Sequence, residues 1–184
     1  SLVSAGQAET EVSLDGSGNL VITDINGNNT ADTLTIEADT ANSRYIITNT
    51  TRNAAVTILA AQDAQTAGFT AAAGATQPDV YTAFVAFASV TGGNVIINSL
   101  GGSDAITVTN LDEFQHVVDY QAGDPAGGTS DTLTLDSGVL GATTHNLTGA
   151  NAGNFDIDGD AAADLTYNEV GGGIDTTGST ATSL

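Results

Sequence analysis

The chain has 184 residues, and its 22 acidic side chains face only two arginines and no lysine, which gives a formal net charge of −20 at pH 7. Nucleic acids and anionic lipids are bound through Lys and Arg, so this composition argues against either as a partner. Cysteine, methionine and tryptophan are absent, which excludes disulfides, thiolate metal sites and cysteine nucleophiles.

Short β-branched clusters separated by Gly, Asn, Asp and Thr run along the chain, a pattern typical of strands and turns. Residues 9–14 alternate polar and apolar side chains, as a half-buried strand does. No apolar run approaches the ~18 residues of a membrane-spanning helix, so we expect no membrane insertion. The further predicted strands are 20–23, 33–36, 45–48, 56–59, 94–98, 105–108, 116–119, 132–135, 145–148, 155–157 and 165–167.

Residues 60–90 interrupt this series with an alanine-rich stretch that precedes Pro78. We predict an insertion, or a short helix beside the sheet, within one elongated β domain that spans residues 1–184. Aromatic residues at Phe69, Tyr81, Phe84 and Phe87 are expected to cover the end or the side of the core, with a ligand platform as the alternative.

Two kinds of repetition favour a parallel β-helix, or β-solenoid, as the fold class. Alternate strands recur at a nearly constant interval, which is the same from Leu34 to Ile58 as from Leu133 to Ile157, and stacked coils give a period of that size. Phrases that begin at Asp32, Asp104 and Asp131 also share the pattern Asp-x-(apolar)-Thr-(apolar). An antiparallel β-sandwich, which also has many short strands, is the alternative.

The segment Gly101-Gly-Ser-Asp-Ala-Ile106 resembles a degenerate unit of the RTX-like calcium-binding β-roll repeats, whose glycine-rich nonapeptides end in Asp-x-(apolar). Such repeats occur in consecutive runs, whereas the phrases at Asp32, Asp104 and Asp131 are separated by long stretches of other sequence. We therefore expect each of these aspartates to cap its own turn through its side chain.

The most specific motif is the nine-residue stretch from Asp156 to Asp164, which also contains Asp158 and Asp160. Acids at alternate positions of a glycine-containing loop can turn inward around one hard cation, with a backbone carbonyl such as that of Ala162 as a further ligand. The sequence therefore predicts calcium as the cofactor, bound by Asp156, Asp158, Asp160, Ala162 and Asp164.

This stretch is similar to the Asp-x-Asp-Gly-Asp-Gly-x-x-Asp-Leu calcium loop of the FG-GAP and VCBS-type repeats of extracellular adhesion proteins. Phe155, Gly159 and Leu165 match that pattern together with the four aspartates. Ala161 stands where the family usually has glycine, and alanine resists the positive φ of a sharp turn. The resemblance covers about a dozen residues and implies a calcium site.

Enzymatic functions are disfavoured. Elimination in polysaccharide lyases needs cationic groups, and Arg44 and Arg52 are the only ones in the chain. His116 and His145 begin predicted strands without a nucleophile motif nearby. We therefore predict that the protein is not an enzyme, although hydrolysis by paired carboxylates in a glycan-cleaving β-helix stays open.

The succession of Gly-Asn-Leu-Val-Ile-Thr-Asp and Asp-Thr-Leu-Thr-Ile phrases resembles repetitive Gly/Asn/Asp/Thr-rich bacterial surface proteins that form fibres or adhesins. The resemblance implies an extracellular, self-assembling structural subunit, with copies of itself as the main partner. Two interpretations of the termini stay open: either end adds a strand to a neighbour's sheet, with residues 1–14 as one such donor, or residues 1–8 and 175–184 are frayed. The alternatives are a calcium-binding module of a larger adhesin and a β-helix that binds a neutral glycan.

Overall fold

The computed structural model of the chain describes residues 10–24, 31–50, 56–58, 76–79, 82–123 and 131–183. These residues form strands and three short 3-10 turns (Thr40–Asn42, Phe87–Ser89 and Leu111–Glu113), so the all-β prediction is confirmed. The strands are β1 (Thr10–Leu14), β2 (Leu20–Asp24), β3 (Thr33–Asp39), β4 (Arg44–Asn49), β5 (Val56–Ile58), β6 (Thr76–Asp79), β7 (Thr82–Ala86), β8 (Asn94–Asn98), β9 (Ala105–Thr109), β10 (Val117–Gln121), β11 (Thr132–Ala142), β12 (Thr144–Gly149), β13 (Ala152–Asp156), β14 (Leu165–Asn168) and β15 (Gly173–Ser183).

The strands belong to two mixed sheets, neither of which closes into a barrel. Sheet A has the order β12-β13-β14-β10-β8-β2-β1-β5, and sheet B has the order β15-β11-β9-β3-β4-β7-β6. Four neighbours in sheet A (β14, β10, β8 and β2) pair in parallel, and so do four in sheet B (β15, β11, β9 and β3). The outer strands pair mainly in antiparallel hairpins.

One hydrophobic core takes its members from both sheets. Side chains alternate between buried and partly exposed along most strands, because successive residues of a strand point to opposite faces. Leu34, Ile106 and Leu133 lie side by side on three parallel strands and are fully buried. Two open sheets around a shared core are compatible with the sandwich-like alternative.

The repeated phrases pair as neighbours in sheet B, with Asp32, Asp104 and Asp131 standing immediately before β3, β9 and β11. The regular interval between alternate strands marks parallel neighbours at β8 and β10 and at β9 and β11, where Ile106 lies opposite Leu133. It does not do so at Leu34 and Ile58, which lie in different sheets. The interval fails where additional strands lie between the strands that pair, as β4–β7 lie between β3 and β9.

The described part of the predicted insertion is mainly strand: residues 76–79 and 82–86 form an antiparallel pair, and β7 also pairs with β4. Phe87 follows in a 3-10 turn, with its ring centroid 4.6 Å from that of Tyr45. Phe87 therefore helps to cover the core. Phe69 and Tyr81 lie outside the described residues.

The two ends of the described chain have different places in the sheets. Strand β1 lies inside sheet A, between β2 and β5, whereas β15 is an edge strand of sheet B. Residues 173–183 are thus paired along β11, despite the three glycines at 171–173. Within the described ranges, no helix has the length and apolar character needed to cross a membrane.

Candidate metal centre

The acidic loop, residues 156–164, joins two antiparallel strands of sheet A. Strand β13 ends at Asp156, β14 begins at Leu165, and Phe155 pairs with Leu165 at the base of the loop. This hairpin brings the first and last acids of the motif close together. The loop is also fixed to β11, because the Gly141 N–H donates to the Ile157 carbonyl at 2.7 Å.

Each aspartate of the acidic loop accepts backbone hydrogen bonds from the loop itself. Asp156 accepts from the N–H groups of Gly159 and Ala161 at 2.7 and 3.0 Å. The Ile157 N–H donates to the Asp164 carboxylate at 2.8 Å. Four carboxylates therefore organise the loop backbone, because a carboxylate is a strong acceptor. The remaining two bonds run from Asp160 N–H to Asp158 and from Ala162 N–H to Asp160.

Three of the five predicted ligands come together. One carboxylate oxygen from each of Asp156, Asp158 and Asp164 lies within 4.8 Å of the other two. Asp156 is buried, Asp164 is half-buried and Asp158 is exposed. Asp160 lies outside this group, and Ala162 takes part through its N–H, which is directed to Asp160.

Electrostatic repulsion within the acidic loop is visible at Asp164. Burial raises the pKa of the Asp164 carboxyl, and the charges of Asp158, Asp156 and Asp160 raise it further, while the hydrogen bond from Ile157 lowers it. A cation at this position would remove the repulsion. The donor set consists of oxygen atoms only, which suits a hard cation such as Ca²⁺ or Mg²⁺ and not a thiophilic metal.

The sharp turn of the loop depends on two residues with positive φ. Gly159 has φ +82° and Ala161 has φ +71°. Glycine adopts this region freely, whereas alanine is strained in it. Ala161, which stands where the similar calcium loop usually has glycine, is therefore itself in the left-handed conformation.

The two histidines lie in separate aromatic groups. His116 Nδ1 is 2.8 Å from the Tyr45 hydroxyl, and His145 Nε2 is 2.7 Å from the Tyr167 hydroxyl. His145 also stacks on Phe155, with ring centroids 4.1 Å apart. Burial lowers the pKa of both imidazoles, so these side chains act mainly as packed hydrogen-bonding groups.

Arg44 pairs with Asp39, with Nε 2.9 Å from Oδ2, and its guanidinium lies 3.7 Å from the centroid of the Phe84 ring. This is the local pairing expected for a cation in so acidic a chain. Arg52 lies outside the described residues.

Sequence reasoning missed the support that β11 gives to the acidic loop. A Cβ atom on Gly141 would lie 2.9 Å from the Ile157 carbonyl oxygen, and a Cβ on Gly159 would lie 3.2 Å from the Ala142 Cβ. Both glycines allow the loop to approach the end of β11. No residue pattern announces this contact, since it joins segments that are distant in sequence.

Comparison of the chain with protein-family models, curated proteins and solved structures finds no match.

Proposed function

We propose that this protein is an extracellular structural subunit or module that assembles with copies of itself into a surface fibre and is stabilised by calcium in the acidic loop. The observation that carries this proposal is the strand order. Strand edges of both sheets are left without a partner in the described chain, at β12 in sheet A and at β15 in sheet B.

The strand order also supports a solenoid as the underlying architecture. The described strands pass from sheet A to sheet B five times, and four of these passages run from β2 to β3, from β8 to β9, from β10 to β11 and from β14 to β15. The strands of these four passages stack in the same order in both sheets. We interpret each of these four passages as one coil, with β4–β7 and β12–β13 as additions between coils. A solenoid is open at its ends, where another copy can continue the stack.

The assembly surface, defined as the edge strands β12 and β15, has little charge. Strand β12 contains no acid and β15 contains only Asp175. Copies that each carry a charge of −20 repel one another, so contact is least costly where acids are scarce. The Leu147 side chain on β12 is 72% exposed. Unpaired edges with exposed apolar side chains favour strand addition.

Calcium is proposed because the acidic loop has an oxygen-only donor set and resembles the calcium loop of extracellular adhesion repeats. Extracellular modules hold calcium with a Kd of about 10⁻⁴–10⁻³ M. At ten times that Kd, calcium would stabilise the fold by roughly 1.4 kcal/mol. This gain is useful for a chain with so much self-repulsion.

We propose no catalytic activity. Elimination on acidic sugars needs cationic groups, and the described Arg44 is already paired with Asp39. This leaves binding and assembly as the roles to test.

The test is electron microscopy of the purified chain at several concentrations, in calcium and in chelator. We expect regular filaments in calcium, with a fixed axial repeat, and fewer of them in chelator. Leu147→Asp places a charge on the assembly surface and should disperse the filaments. Leu100→Asp is the matched control, since Leu100 is 43% exposed but lies between β8 and β9, and it should assemble normally.

Dispersed particles in every condition would contradict self-assembly and favour a calcium-binding adhesin module that holds a neutral glycan. One observation supports that second candidate. A surface cavity of about 430 Å³ is lined by Phe114, Gln115 and His116 and borders the acidic loop at Asp164. An aromatic ring beside polar side chains suits a sugar. A thermal-shift screen of neutral oligosaccharides would then be the deciding measurement.

A further inference from the structure

Three aspartates form a column across sheet B. The aspartate column consists of Asp32, Asp104 and Asp131, which precede β3, β9 and β11. The Asp32 N–H donates to Asp104 Oδ1, and the Asp104 N–H donates to Asp131 Oδ1, both at 2.8 Å. The carboxylates of Asp104 and Asp131 thus bind the backbone ahead of the adjacent strand, whereas the sequence had suggested caps on their own turns. The column ties three parallel strands together at their beginnings.

All three side chains are buried, each with an exposed fraction of 1%. Asp32 Oδ1 accepts from the Asn49 amide, but the Oδ2 atoms of Asp32 and Asp104 are buried without a hydrogen-bond partner. Among the described residues the only arginine, Arg44, is bound to Asp39 and supplies no counter-charge here. Buried carboxylates without compensation are costly when ionised, and adjacent ones repel each other.

Asp104 is the central member, and the groups that face it come from several elements. Asp32 precedes β3, Asp131 precedes β11, Tyr120 belongs to β10, and Ser99 follows β8. Burial is the main cause that raises the pKa of Asp104 to about 6. The charges of Asp131 and Asp32 act in the same direction, while the hydrogen bond from the Asp32 N–H and the nearby polar side chain of Ser99 oppose them. Burial also raises the pKa of Tyr120, which stays neutral.

We propose that the aspartate column is a proton-binding site, in which the folded chain holds a proton on the Asp104 carboxyl and this proton stabilises the stacking of β3, β9 and β11. The inference does not depend on calcium or on self-assembly. Removing one of three adjacent negative charges relieves the repulsion, and the carboxyl keeps the hydrogen bond that Asp104 Oδ1 accepts from Asp32.

The direction of the pH dependence follows from the two states. An unfolded aspartate has a pKa near 3.8, whereas Asp104 in the folded chain has a pKa of about 6. The folded state therefore binds the proton more tightly. The stabilising effect of this proton is fully present below about pH 3.8 and is lost as the pH rises through about 6.

The experiment compares urea unfolding of the wild-type chain and Asp104→Asn between pH 4.5 and 8, with chelator present throughout. Below pH 6, each unit of acidification should lower the unfolding equilibrium constant of the wild type by up to about tenfold more than it lowers that of Asp104→Asn. Asp175→Asn is the matched control, because Asp175 is exposed and the Thr177 N–H lowers its pKa. It should keep the wild-type pH dependence, and Asp164 contributes equally to all three proteins.

Equal pH dependence in the wild type and in Asp104→Asn would overturn the proposal. If Asp104→Asn does not fold, carbon-detected NMR titration of the wild-type aspartate carboxyl groups decides instead. A midpoint near 6 for the Asp104 carboxyl carbon supports the proton site. A midpoint at or below the ordinary aspartate value contradicts it.

Discussion

At the residue scale, the acidic loop separates what side-chain spacing predicts from what backbone conformation decides. The alternation of aspartates indicated a cation site, and Asp156, Asp158 and Asp164 do come together. The sequence could not exclude Asp160, because the φ and ψ angles around Gly159 and Ala161 determine which carboxylates point inward. The spacing of the aspartates predicts the candidate ligands, and the backbone conformation of the turn determines which of them come together.

Ala161 offers a direct test of strain in this loop. Replacing Ala161, with φ +71°, by glycine should raise the free energy of unfolding by about 0.5–1 kcal/mol, since glycine adopts positive φ without strain. Ala162→Gly is the control, because Ala162 is not among the residues with positive φ, and it should be neutral or destabilising. Urea unfolding in chelator measures both, and equal effects of the two substitutions would contradict the strain.

The cation site itself is tested by two single substitutions in the acidic loop. Asp158→Asn removes a member of the carboxylate group, whereas Asp160→Asn removes an acid outside it. We expect the first to lose most of the calcium-dependent rise in melting temperature and the second to keep the larger part of it. Thermal melts in calcium and in chelator give the comparison. Equal calcium responses in the wild type and in Asp158→Asn would argue against this site.

At the scale of elements, strands were predictable from sequence and their partners only in part. The phrases at Asp32, Asp104 and Asp131 identified three neighbouring strands, because identical environments on parallel strands select similar residues. The regular interval between alternate strands identified the pairs β8–β10 and β9–β11 but no others, because β4–β7 and β12–β13 separate the remaining strands that pair. The position of β1 was missed for a related reason, since an alternating pattern indicates a half-buried strand and not its neighbours.

Deletion of residues 1–14 tests the structural role of β1. Val12 is fully buried and Leu14 is 5% exposed, so loss of the two side chains removes about 3–6 kcal/mol of hydrophobic burial. That is a large part of the roughly 5–15 kcal/mol typical of a domain. We therefore expect the truncated chain to lose its cooperative unfolding transition, measured by circular dichroism. A folded, β-rich truncated monomer would restore the terminus as a candidate strand donor.

At the scale of the whole molecule, the carboxylates are unevenly distributed over the two sheets. The acidic loop and the aspartate column concentrate carboxylates at strand ends, whereas β12 and β15 are nearly free of them. The total charge was readable from composition. Its distribution between the ends of strands and the edges of sheets required the order of the strands.

The strand order also affects the order in which the strands can pair during folding. Strand β3 meets β4 across the short turn at Thr40–Asn42, whereas β3 and β9 are held together by a hydrogen bond between residues 72 positions apart. Closing so long a loop costs entropy before any contact compensates, and folds built on distant pairings fold slowly. During synthesis, sheet B therefore begins as a local hairpin. The strands β9, β11 and β15 follow in that order along the chain, so β15 can join only after β11 has been made.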